Sequence, residues 1–102
     1  MSPKSKPKAS LSSDAFEDFK RLPGNIRRLL ISAIDDLETN PRPHTSKKLI
    51  LAEETREIRR LRIDKWRIIY LVEANRPIII GIRHRPPYDY SDLQRLINNI
   101  ER

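Results

Sequence analysis

The sequence of 102 residues has no cysteine and only two glycines and two histidines. Without cysteine there is no disulfide, no thiolate metal site and no cysteine nucleophile. Two glycines leave no room for a glycine-rich phosphate loop or a dinucleotide fingerprint. His44 and His84 alone make a dedicated zinc site unexpected, and no cofactor is expected. No apolar run approaches the ~20 residues that span a bilayer, and no secretory segment follows Met1. The expectation is a small cytoplasmic protein with no membrane partner.

What the chain does have is positive charge and one domain's worth of aliphatic residues. Lys and Arg number 21 against 14 Asp and Glu, a net charge of +7. Residues 1–13 carry Lys4, Lys6 and Lys8 among Pro and Ser and no acid, which reads as a disordered basic arm. Residues 14–102 read as a single domain, nearly balanced in charge up to 55 and strongly basic beyond.

Periodicity orders the elements. Asp14 and Glu17 have capping-box spacing, and Phe16, Phe19 and Leu22 recur at helical intervals up to the break at Pro23-Gly24. Ile26, Leu29, Leu30, Ala33, Ile34 and Leu37 form one apolar stripe, ended by Asn40-Pro41. Residues 14–39 are therefore expected to be a helical hairpin. Beyond a Pro-rich loop the period becomes that of strands: 48–52, 58–63, 66–73 and 78–84, an antiparallel meander rich in Ile, Val, Tyr and Trp. Residues 91–100 return to helix, with Ser91 and Gln94 as a second capping box. The fold class is α+β, with the hairpin and the C-terminal helix packed on one face of one antiparallel sheet.

A two-residue turn at Asp64-Lys65 would put Leu61, Ile63, Trp66, Ile68, Tyr70 and Val72 on a core face and Arg60, Arg62 and Arg67 on the other. Arg62 opposite Arg67 costs a sheet roughly 0.2–1 kcal/mol, which folding alone does not explain. A solvated face is the bland reading; a polyanion site is the functional one, because guanidinium forks suit phosphate. On the last strand the parity is open. A three-residue turn at 74–76 puts Arg83 and Arg85 beside Arg67; a two-residue turn puts His84 there. Tyr88 and Tyr90 lie around a Pro86-Pro87 turn, where exposure is expected.

The stretch Arg60-Leu61-Arg62-Ile63-Asp64-Lys65-Trp66-Arg67-Ile68-Ile69-Tyr70 resembles the hairpin signature of the RelE/ParE superfamily of toxins from type II toxin–antitoxin systems. Ile82 through Arg85 is similar to that family's hydrophobic-x-His-Arg strand ending. The resemblance covers residues 14–100 and implies a RelE-like fold. For the RelE branch it implies a ribosome-dependent mRNA interferase: a metal-independent endoribonuclease that inhibits translation and leaves a 2′,3′-cyclic phosphate. By the same resemblance Arg67 stands at a catalytic arginine, Arg85 at a second, and Tyr90, before Ser91-Asp92, at the catalytic tyrosine. Arg60, Arg62, Lys65 and Arg83 complete an RNA-binding set. The sequence departs from the family in lacking a clear first strand, Lys8 to Ser12 being a poor substitute, and in its tyrosine spacing, so that Tyr88 competes with Tyr90.

Cleavage by RNA's own 2′-hydroxyl needs a base, cations on the crowded phosphorane and an acid for the leaving 5′-oxygen. Arg67 and Arg85 are the candidates for charge; His84, Tyr88 and Tyr90 are the candidates for the proton. Expected partners are the ribosome, mRNA and an acidic antitoxin that folds on the basic toxin. The alternatives are a ParE-like inhibitor of DNA gyrase without nuclease activity and a degenerate basic RNA-binding module.

Overall fold

A computed structural model describes residues 9–52, 54–84 and 90–100. Strand β1 (Ser10–Leu11) leads into helices α1 (Ser13–Lys20) and α2 (Gly24–Thr39). Strands β2 (Ser46–Leu49), β3 (Glu57–Ile63), β4 (Trp66–Glu73) and β5 (Arg76–His84) follow, then helix α3 (Leu93–Ile100). The five strands form one sheet in the order β1-β5-β4-β3-β2.

The helical hairpin forms where its stripe predicts, with a different cap. Ser12 rather than Asp14 starts α1, its hydroxyl oxygen accepting from the Ala15 N–H at 3.1 Å. Leu30, Ile31, Ile34 and Leu37 bury the α2 stripe, whereas Leu29 is 46% exposed. Residues 9–13, read with the basic arm, belong to the fold: Ala9 is buried, and the Ser12 N–H donates to Ile79 O at 2.9 Å. β1 pairs parallel to β5, so the sheet is mixed and not purely antiparallel. Two residues are too few for a strand period to show.

The helices lie on both faces of the sheet and not on one. α1 and α2 cover one sheet face, packing on Leu61, Ile68, Tyr70, Val72, Ile79 and Ile82. α3 covers the opposite face, where Leu93, Leu96 and Ile97 pack on Ile58, Ile69, Leu71 and Ile80. β4 is therefore apolar on both sides, and Ile68 through Leu71 are all fully or nearly fully buried. Burying the three α3 anchors is worth roughly 4–9 kcal/mol as an upper bound, so apolar packing holds this helix. The Gln94 amide donates to Glu54 Oε1 (3.1 Å) and Asn98 Oδ1 (3.3 Å).

Register decides which residues share a face. β3 and β4 pair Ile63 with Trp66, Arg62 with Arg67 and Leu61 with Ile68, as the two-residue turn requires. β4 and β5 also join by a two-residue turn, Ala74-Asn75, both with positive φ (53° and 60°). That turn alone would put His84 beside Arg67. A bulge intervenes: Tyr70 pairs with Ile79 but Ile69 with Gly81, leaving Ile80 as the extra residue. One extra residue reverses parity, so Arg83 partners Arg67 and His84 partners Trp66.

Candidate functional site

At the Asp64-Lys65 end of the sheet, Arg62, Arg67 and Arg83 stand directly opposite one another across β3, β4 and β5. The adjoining row on the same face is Lys47 on β2 opposite Arg60 on β3. Lys65 is exposed in the turn beside them. Five cations thus share the face that α3 covers at its other end. Strand β2 starts two residues before the strand expected over 48–52, and the β2–β3 register puts Lys47 on this face. Neither Lys47, Arg60 nor Arg62 has a side-chain hydrogen bond or ion pair among the described residues.

The other two arginines are held. The Arg67 Nη1 donates to Asp64 O and Trp66 O, both at 2.9 Å, which folds the guanidinium toward the turn. The Arg83 Nη2 donates to both carboxylate oxygens of Asp92 at 2.8 and 2.7 Å. Asp92 lies just before α3, and Arg83 also comes within 3.9 Å of Asp18 on α1. These groups line a polar cavity of about 300 Å³ with Asp14, Arg21 and Arg95.

Arginines elsewhere serve the fold. Arg42 clasps Glu57 through Nε and Nη2, with a shortest contact of 2.8 Å, and Arg59 adds a 3.0 Å bond to the same carboxylate. These bonds, Arg42 first, hold the Glu57 carboxyl below its usual range. Arg56 does the same to Glu54, whose side chain is only 4% exposed and whose pKa falls to about 2, with Gln94 adding to the effect. Tyr70, expected in the core, is buried there and its hydroxyl donates to Pro41 O at 2.6 Å.

Three proton-carrier candidates are treated differently. His84 lies on the helical-hairpin face, stacked flat on Trp66 with ring centroids 3.8 Å apart and planes 7° from parallel. The thickness of the sheet separates it from Arg67. Tyr90 is half-buried instead of exposed; its ring packs against the core under α3, and its hydroxyl is out of solvent with no hydrogen-bond partner among the described residues. Arg85 and Tyr88 lie outside the described residues. Arginine does not give up its proton, so the described face supplies charge and hydrogen-bond donors for a polyanion. No described helix is long and apolar enough to cross a membrane.

Residues 9–86 match the model of a family described as the ParE toxin of the type II toxin–antitoxin system, parDE. No curated protein sequence matches the chain. Among solved structures, the fold is similar to the archaeal RelE–RelB complex of Pyrococcus horikoshii, at 20% identity and TM-score 0.65, covering 83% of this chain and all of that one. The toxin–antitoxin complex RelBE2 of Mycobacterium tuberculosis is similar at 20% identity and TM-score 0.63, covering 78% and 99%. The isolated RelE toxin of Escherichia coli is similar at 17% identity and TM-score 0.58, covering 87% and 96%.

Proposed function

The chain belongs to the ParE toxin family of type II toxin–antitoxin systems, and we propose that within it this chain is a RelE-like, ribosome-dependent mRNA endoribonuclease. The observation that carries this reading is the cation face: Arg62, Arg67 and Arg83 in one row, with Arg60 and Lys47 in the next. Such a row is a costly arrangement for a sheet and a suitable one for successive phosphates.

In this reading the 2′-hydroxyl oxygen attacks the adjacent phosphorus, the 5′-oxygen leaves, and a 2′,3′-cyclic phosphate remains. Arg67 stabilises the phosphorane charge, with Arg85 as its proposed companion. Arg60, Arg62 and Lys65 hold the flanking backbone. Tyr90 moves the proton once its hydroxyl leaves the apolar pocket, and Tyr88 is its alternative; His84, stacked on Trp66 on the far face, is given no proton in this reading. An acidic antitoxin is the proposed partner, and the solved RelE–RelB and RelBE2 complexes support one.

A second reading has its own support. The matching family model is that of ParE toxins, and the described arginine face carries no exposed His or Tyr. A ParE-like gyrase inhibitor needs no such group. Primer extension on mRNA in a translating extract, run beside a gyrase supercoiling assay, separates the two. Discrete ribosome-dependent cuts are expected, with supercoiling unaffected; loss of supercoiling without cuts would overturn the nuclease reading.

A further inference from the structure

Arg83 stands in the arginine row, yet its guanidinium is turned out of it. Cross-strand pairing places its Cα opposite that of Arg67, where side chains ordinarily meet. Instead both Asp92 oxygens take its Nη2, at 2.7 and 2.8 Å. A carboxylate gripped by an arginine is the same chemical arrangement as a phosphate gripped by an arginine, two anionic oxygens facing N–H donors.

Gly81 makes that turn possible. A Cβ at this position would lie 3.0 Å from Arg83 Nη1 and 3.6 Å from Leu96 Cδ1. The missing side chain leaves the slot between β5 and α3 into which the guanidinium folds. Arg95 approaches the same carboxylate at 3.7 Å, so Asp92 would keep a cationic neighbour after losing Arg83. α3 is anchored by Leu93, Leu96 and Ile97, so the exchange does not require the helix to leave the sheet.

We propose that Asp92 is an internal occupant of the Arg83 anion site, and that a phosphate of bound RNA displaces it, returning Arg83 to the row with Arg62 and Arg67. The inference rests on the RNA reading of this face. It makes Asp92 a positioning residue that regulates the site: the face presents an incomplete row until a polyanion of sufficient charge arrives. Isolated phosphate competes poorly, because it lacks the neighbouring phosphates that Arg62 and Arg67 would hold.

The test measures binding of a short fluorescein-labelled single-stranded RNA to the full chain across a salt series. Asp92→Asn keeps the shape and removes the charge. It is expected to bind about three- to tenfold tighter at low salt and to steepen the log affinity against log salt by about 0.7, one more single-strand phosphate. Adding Arg83→Gln to Asp92→Asn should erase both gains. Unchanged affinity and slope in a folded Asp92→Asn protein would overturn the proposal. Should that variant not fold, the wild-type protein gives the same answer through the Nε–H resonance of Arg83. It should move on addition of the RNA but not on addition of inorganic phosphate, and a resonance that stays while that of Arg67 moves would refute the exchange. Weaker RNA binding in Arg62→Gln keeps the RNA reading even if the exchange fails. If neither Arg62→Gln nor Arg67→Gln alters binding, the RNA reading falls and takes the exchange with it.

Discussion

Arg62 and Arg67 are direct cross-strand partners on the sheet face away from the helical hairpin. Two like charges so placed cost the sheet about 0.2–1 kcal/mol, and Arg62 has no side-chain partner among the described residues to offset it. Arg62→Thr is therefore expected to stabilise the fold by about that amount, which thermal unfolding reads as a rise of a few degrees. The same variant should bind RNA less well and inhibit growth less. A variant that is destabilised, or that inhibits growth fully, contradicts a functional origin for the pair.

Arg67→Ala should relieve growth inhibition while leaving the fold intact. Its Nη1 donates to the carbonyls of Asp64 and Trp66 at the β3–β4 turn, so the loss in stability is expected to stay within about 1 kcal/mol. Replacing Lys4, Lys6 and Lys8 together should weaken RNA binding modestly, and by less as salt rises. Equal toxicity of Arg67→Ala at equal protein level would remove this face from the mechanism.

Tyr90 separates stability from chemistry. A buried hydroxyl without a partner costs the fold about 1–3 kcal/mol, and among the described residues the Tyr90 hydroxyl has none. Tyr90→Phe should unfold at a higher temperature. As the proton carrier it should also cleave about 10²–10⁴-fold more slowly in single turnover on programmed ribosomes, with ribosome binding unchanged. Normal cleavage by Tyr90→Phe together with a dead Tyr88→Phe would transfer the role to Tyr88.

His84→Gln is expected to leave RNA affinity and its salt dependence untouched, because the ring lies against Trp66 on the other side of the sheet. Loss of the stack should cost about 0.5–1.5 kcal/mol, seen in thermal unfolding. A weakened RNA complex with normal stability would put His84 back at the site.

Glu54 sets an acid limit on stability. Its pKa in the folded chain is about 2, below the ordinary 4.5. A depressed carboxylate stabilises above its unfolded value, and that contribution is lost as pH falls from about 4.5 toward 2. Glu54→Gln should lower stability near neutral pH by about 1–2 kcal/mol and flatten the decline in that acid window. Amide exchange should show α3 loosening first, since Gln94 of that helix donates to Glu54.

Much of this protein was legible along the chain because helices and strands repeat their apolar residues locally. The stripe from Ile26 to Leu37, the β3–β4 hairpin around Asp64-Lys65 and the common face of Arg60, Arg62 and Arg67 all follow from spacing over a few residues. Tertiary structure decided what depends on partners distant in sequence. Strand β1 exists only because β5 offers an edge to Ser10 and Leu11. Lys47 joins the cation face through pairing with Arg60, thirteen residues on. The strand carrying Arg83 and His84 is apolar on both sides, so no alternation could tell its faces apart. The extra residue at Ile80 set that parity, sending Arg83 toward Arg67 and His84 to Trp66. The same two-sided burial drew α3 onto the arginine face, because Ile69, Leu71 and Ile80 required cover that α1 and α2, committed to the opposite side, did not provide.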